Sequence, residues 1–362
     1  MKLRNLVITV AVLAVLSVAA YLRNQPKAAP VDDPRVGKSL LDSDTASRVS
    51  GLLVTDQGKK VELARSADGS WRVTSYYDMP ADFDKIARFV QDLNEAKVDR
   101  FVTANPERLS RLEFKDSQIV LKDSGGKEIW SITLGKTPET GNGRFVRFAG
   151  EPKAFLSGLH AWLDTDGKSW ADTRLVAVKP EDVAKIAVPF ESGAKVEVSR
   201  AKKDGPWSAV NAPAGQSLNA ERVNSLLTAL TSLRFSDTLD SKDESAIEAA
   251  KFMRMFRLTT FSGTVLDISL GRKPEEKRLK APVGDAKEVV APAKDGAKPE
   301  GTPIAPEFET IPAGPAFVAV ASSDSKAPIN DLMKSRAFKV DDYAFTGLPQ
   351  KADEFFEAAK AK

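Results

Sequence analysis

Gly58-Lys59-Lys60-Val61-Glu62-Leu63-Ala64-Arg65 recurs further along the chain as Gly193-Ala194-Lys195-Val196-Glu197-Val198-Ser199-Arg200, and in each copy an Asp-Gly and then a tryptophan follow, Trp71 and Trp207. A repeat of this kind sets the domain count before any fold is known. The likeness runs on into a helical pattern. Asp82 with Ile86, Phe89, Val90 and Leu93 aligns with Asn219, Val223, Leu226, Leu227 and Leu230. It closes on Leu134-Gly135-Lys136 against Leu270-Gly271-Arg272. The offset stays nearly constant throughout, which chance similarity between short strands does not produce.

Within one copy the local physics is consistent. Val61 and Leu63, like Val196 and Val198, alternate with polar residues, the period-2 pattern of a strand with one buried face. Asp68-Gly69 and Asp204-Gly205 read as hairpin turns. Asp82 and Asn219 suit helix N-caps, and Asp84 and Glu221 place a carboxylate in the first turn, where the helix dipole favours it. The apolar residues that follow at helical spacing make one stripe to lie on a sheet. A second hairpin is expected over 118–122 and 128–134, and a further strand over 144–148 after Gly141-Asn142-Gly143. The expected fold is α+β: an N-terminal transmembrane helix, then two repeated domains of antiparallel sheet plus helix. The domains are expected at 39–175 and 176–345, with a C-terminal tail over 346–362.

At 362 residues the chain suits two domains of ordinary size. The near balance of 53 basic against 50 acidic residues, with the signs interspersed, gives no reason to expect nucleic acid as a partner. Cysteine is absent, which removes disulfides, thiolate metal sites and cysteine nucleophiles. The single histidine, His160, is expected in a helix beside Trp162; without a second histidine there is no transition-metal constellation. No Gly-x-Ser-x-Gly elbow accompanies it, and no cofactor motif is present. Trp71 and Trp207 occur identically in both copies, which suits core residues better than ligand platforms. The basic residues Lys60, Arg65, Lys195 and Arg200 read as the solvated face of their strands.

Two segments stand apart. Lys2 and Arg4 precede the apolar run 6–22, which as a helix spans roughly 25 Å, at the short end of what crosses a bilayer. An uncleaved single-pass anchor in a bacterial inner membrane is the expectation, with the bulk of the chain periplasmic. Val18-Ala19-Ala20 offers a passable signal-peptide site as the alternative. Residues 23–38 read as a linker. In the second copy, 273–315 is rich in Ala, Pro, Lys and Glu without any period and is expected to be a disordered insertion.

The anchor, the segment from Val61 to Val73, the helix entry Met79-Pro80-Ala81-Asp82 and the closing Leu134-Gly135-Lys136 together resemble the bacterial domain-of-unknown-function family 4340. The resemblance covers nearly the whole chain after Lys38, in two copies. It implies an accessory envelope protein working beside an ABC-type transporter whose other subunits resemble the gliding-motility permease and its auxiliary protein. It implies a partner and no reaction, and brings no catalytic residues. The expected function is thus a non-enzymatic periplasmic accessory or scaffold protein. Its rivals are a ligand-binding subunit with a pocket between the repeats and a carbohydrate-active enzyme using carboxylates.

Overall fold

The computed structural model describes residues 33–160, 162–190, 192–279 and 308–358. The chain is α+β, and it divides into two compact units between Asp172 and Thr173. The expected membrane helix over 6–22 lies outside the described residues. Among the described residues no helix is long and apolar enough to cross a membrane.

The first unit forms an antiparallel sheet from β1 (Gly51–Asp56), β2 (Lys59–Arg65), β3 (Trp71–Val73), β4 (Met79–Pro80), β5 (Val98–Thr103), β6 (Gln118–Lys122), β7 (Glu128–Leu134), β8 (Arg144–Phe148) and β9 (Ala154–Ser157). The order across it is β4-β3-β2-β1-β6-β7-β8-β9-β5. Its helices are α1 (Ser43–Ser47), α2 (Phe83–Glu95), α3 (Pro106–Ser110) and α4 (Gly167–Trp170). The strands expected over 118–122, 128–134 and 144–148 form at those bounds, because short apolar runs rich in β-branched and aromatic residues, bounded by turn residues such as Ser124-Gly125-Gly126, specify them locally.

In the second unit the sheet is built from β10 (Val183–Pro189), β11 (Lys195–Ser199), β12 (Ser208–Ala209), β14 (Asp237–Asp240), β15 (Arg254–Thr260), β16 (Val265–Gly271), β19 (Phe317–Ser322) and β20 (Arg336–Lys339). Two small ribbons lie beside it, β13 (Gln216–Leu218) with β21 (Phe356–Ala358), and β17 (Glu276–Leu279) with β18 (Phe308–Ile311). The helices are α5 (Ala220–Thr231), α6 (Glu244–Ala250), α7 (Pro328–Ser335) and α8 (Asp342–Thr346). The sheet order is β12-β11-β10-β15-β16-β19-β20-β14. Strand for strand this is the order of the first sheet without its terminal β4.

The cores follow from the patterns. Val61 and Leu63 of β2 and Val196 and Val198 of β11 are buried. On α2, Ile86, Phe89 and Leu93 are buried while Val90 is only half-buried. On α5, all of Val223, Leu226, Leu227 and Leu230 are buried. Behind the later strands, Leu109 and Leu112 pack on Phe145, and Ala246 and Ala249 pack on Phe317.

Several expectations are corrected. The end of the 23–38 linker belongs to the first unit: Asp33 is buried and accepts a hydrogen bond from Lys153 Nζ at 2.8 Å. The flanks of the 273–315 insertion pair as β17 and β18, and Gly314 N–H bonds Lys273 O, while 280–307 lies outside the described residues. A ladder satisfies its backbone without apolar side chains, so no hydrophobic period announced it. Of the tail expected over 346–362, the described part to Ala358 belongs to the second unit, since Leu348 and Phe355 are buried and β21 pairs with β13. His160 is exposed and lies just after β9 with no helical structure.

Candidate functional site

The repeat markers hold the frame. Asp82 accepts from the backbone N–H groups of Asp84 and Lys85, and Asn219 from that of Arg222, as N-caps do. Gly135 lies against the carbonyl of Leu112, where a Cβ would come within 2.4 Å of the oxygen. At Gly271 a Cβ would sit 2.8 Å from the carbonyl oxygen of Phe252 and from Met253 Cα. In both units the chain leaving the short helix before the second hairpin thus crosses the glycine, and no side chain fits there.

Trp71 and Trp207 are each 9% exposed. The Trp207 indole N–H donates to Asn224 Oδ1 on α5 at 2.9 Å, and Arg200 stacks over its ring at 4.5 Å. The position on α2 equivalent to Asn224 is Ala87, which offers no acceptor. Arg200 departs from the solvated-face reading. Its Nε donates to Val183 O at 2.8 Å and its Nη2 to Pro180 O at 2.5 Å, and burial pulls its pKa down. Lys60, Arg65 and Lys195 are exposed as expected.

The last element of each unit returns to the entry of its long helix. Trp170 O accepts from Asp82 N–H at 2.8 Å, and Phe355 O from Asn219 N–H at 2.8 Å. The same stretch is pinned by the third residue of the helix: Lys85 bonds Asp164 and Ser169, and Arg222 Nη2 bonds Glu354 Oε2. Trp170 is closed off by an edge-on contact with Phe89, centroids 5.5 Å apart.

One end of each sheet differs in chemistry. In the first unit the ends of β1 and β7, the start of β8 and the stretch carrying Trp162 enclose an open cleft of about 410 Å³. Arg144, the first residue of β8, donates from Nε to Gly135 O at 3.0 Å. Burial lowers its pKa, and the Asp56 carboxylate partly offsets this. Asp56 itself accepts the Ser117 hydroxyl, and Glu113 pairs loosely with Lys136 at 3.9 Å. Trp162, at the rim, is 84% exposed.

In the second unit the corresponding end is mostly apolar, and its one charged lining residue, Arg254, is bonded to Pro189 O and Pro349 O. The place of Arg144, just before the aromatic that packs beside the glycine, is taken by Ala316, and that of Asp56 by Phe190. Here Phe190, Phe252, Met253 and Met255 line a hollow of about 470 Å³, with Phe252 and Met255 well exposed. Sequence reasoning passed over both ends, because Arg144, Trp162 and Met255 show no period and no motif. Among the described residues no cluster of His, Asp and Glu has the arrangement of a metal site.

The family model described as Domain of unknown function (DUF4340) matches residues 71–251, half of the chain. The chain belongs to this family. The DUF4340 match is one continuous stretch that begins at Trp71 on β3 and runs across the unit boundary to the end of α6. It takes in Trp71, Asp82, Gly135, Arg144, Trp162, Trp207 and Asn219, and leaves Gly271 outside. No curated protein and no solved structure matches the chain.

Proposed function

We propose that this DUF4340 protein is a non-enzymatic accessory or scaffold protein of an ABC-type transport complex. In this reading residues 6–22 anchor it once in a bacterial inner membrane, its bulk is periplasmic, and its two units are tandem copies of one family domain. The observation that carries the reading is the division of labour between shared and differing residues. Those the two units share are committed to structure: N-caps at Asp82 and Asn219, close packing at Gly135 and Gly271, buried indoles at Trp71 and Trp207. One sheet end differs in chemistry, with a charged cleft around Arg144 in one unit and exposed Phe252 and Met255 in the other. A duplicated frame with diverged surfaces suits a protein that holds different partners. The common strand order supports the tandem-copy part.

The deciding experiment is affinity purification of the full chain from detergent-solubilised membranes at native expression. Permease and auxiliary subunits of an ABC-type transporter are expected in near-stoichiometric amounts. Recovery of the chain alone, with the membrane extract shown to keep other complexes intact, would refute the scaffold reading. For the anchor, the protein should stay with membranes through carbonate washing, and a mature N-terminus at Tyr21 would contradict it.

A further inference from the structure

We infer that the Arg144–Trp162 cleft of the first unit is a saccharide-binding site for a neutral sugar ring. Its volume of about 410 Å³ falls in the range of small-molecule sites, roughly 300–1,000 Å³. Three properties select the ligand class.

The first is an aromatic platform. Trp162 keeps 84% of its surface in contact with solvent, and its indole has no bonding partner among the described residues. Leu163 beside it is buried, and Asp164 N–H bonds Trp162 O at 3.1 Å, so the ring stands on an anchored stretch of chain. A large flat apolar face with a polar edge accepts the C–H face of a pyranose.

The second is unspent hydrogen-bonding capacity of both signs. The Arg144 guanidinium is half-buried, yet its internal bond uses Nε alone. Among the described residues its terminal nitrogens meet no acceptor. Across the cleft the Asp56 carboxylate bonds one hydroxyl, that of Ser117, and keeps further acceptor sites. Donor and acceptor lie close enough to interact electrostatically without forming an ion pair. Ring hydroxyls, each both donor and acceptor, satisfy such a pair together, which a carboxylate or an ammonium alone does not.

The third is charge balance. Lys115, Lys136 and Arg144 face Asp56, Glu113 and Asp116. The cleft therefore concentrates neither anions nor cations. An acidic peptide, the other class Arg144 suggests, would meet repulsion from the three carboxylates. The second unit, with Phe190 and Ala316 in the places of Asp56 and Arg144, lacks the pair. A saccharide site and a transporter partner are separate properties of the chain, so either stands if the other fails.

The test uses the full chain in detergent, with maltotriose, cellotriose and chitotriose as probes followed by isothermal titration calorimetry. At least one trisaccharide is expected to bind with a Kd of about 1 mM or tighter, with affinity unchanged by added salt, since no net charge is screened. Trp162→Ala, at an exposed position, should melt like the parent and weaken binding about tenfold or more. Arg144→Gln should also weaken it, with circular dichroism reporting whether that variant folds. Failure of the parent to bind any probe at about ten times that concentration would overturn the proposal. So would a Trp162→Ala variant that binds as the parent does, or hexaglutamate binding in a salt-dependent manner more tightly than any sugar.

Discussion

Lys85 Nζ donates to Asp164 Oδ2 at 2.7 Å, and by doing so fastens the first turn of α2 to the stretch of chain that carries Trp162. The same ammonium lies 4.5 Å from the centre of the Trp170 ring and bonds Ser169 O at 3.0 Å. Trp170 in turn donates from its indole to Asp164 O at 2.9 Å. One cation thus holds a carboxylate, a carbonyl and an aromatic face, and the residues from Trp162 to the start of α4 are fixed without regular structure of their own.

A pH dependence follows. Burial pushes the Asp164 carboxyl up, but the hydrogen bonds from Lys85 and Ser169 outweigh it and leave the group below its ordinary value. A carboxyl depressed in the folded state contributes stability that is present above the unfolded value of about 3.9 and is lost as pH falls through the folded one. Both partners keep some solvent contact, so the contribution is about 1 kcal/mol. Asp164→Asn should lose about this much at pH 7 and lose less than the parent between pH 7 and about pH 3, read by urea melts at both. Parallel pH profiles for the two proteins would contradict the assignment.

The two packing glycines make a stability prediction. Gly135→Ala and Gly271→Ala each drive a methyl into backbone, so each should cost about 1–3 kcal/mol or more. Gly158→Ala is the control, because its nearest neighbours, the Asp99 carboxylate oxygens, are 3.8 Å away. Thermal melts of the three variants should separate the first two from the third.

Trp207→Ala removes a buried indole, its bond to Asn224 and the surface on which Arg200 stacks. The expected cost is about 3–5 kcal/mol, a large share of one domain's stability. Trp207→Phe should cost less, keeping much of the packing while leaving Asn224 Oδ1 without its donor. Trp71→Ala should fall in the same range as Trp207→Ala. A Trp207→Ala protein melting like its parent would remove this residue from the core.

Truncation after Thr346 tests the role of the returning C-terminal segment. It deletes Leu348, Phe355, the β21 partner of β13 and the Glu354 carboxylate that holds Arg222. The second unit should then lose its cooperative transition in calorimetry. Phe355→Ala, which leaves the ladder in place, should lower that transition by the equivalent of about 3–5 kcal/mol.

The sequence by itself determined what depends on neighbours along the chain: the alternation of β2 and β11, the second hairpin of the first unit, the caps at Asp82 and Asn219, and the recurrence that pairs Gly135 with Gly271. Each is set by a period, a turn residue or a capping side chain within a few positions. Only the tertiary structure decided that Trp170 and Phe355 are counterparts, and that Arg144 comes beside Asp56. These groups differ in residue type and lie far apart in the chain, and no local rule links a ring that closes over a helix entry to the helix it closes. The exposure of Trp162 was hidden for the same reason. A tryptophan in an irregular stretch is buried or bare according to what the sheet end leaves uncovered, and that is settled when β1, β7 and β8 come together.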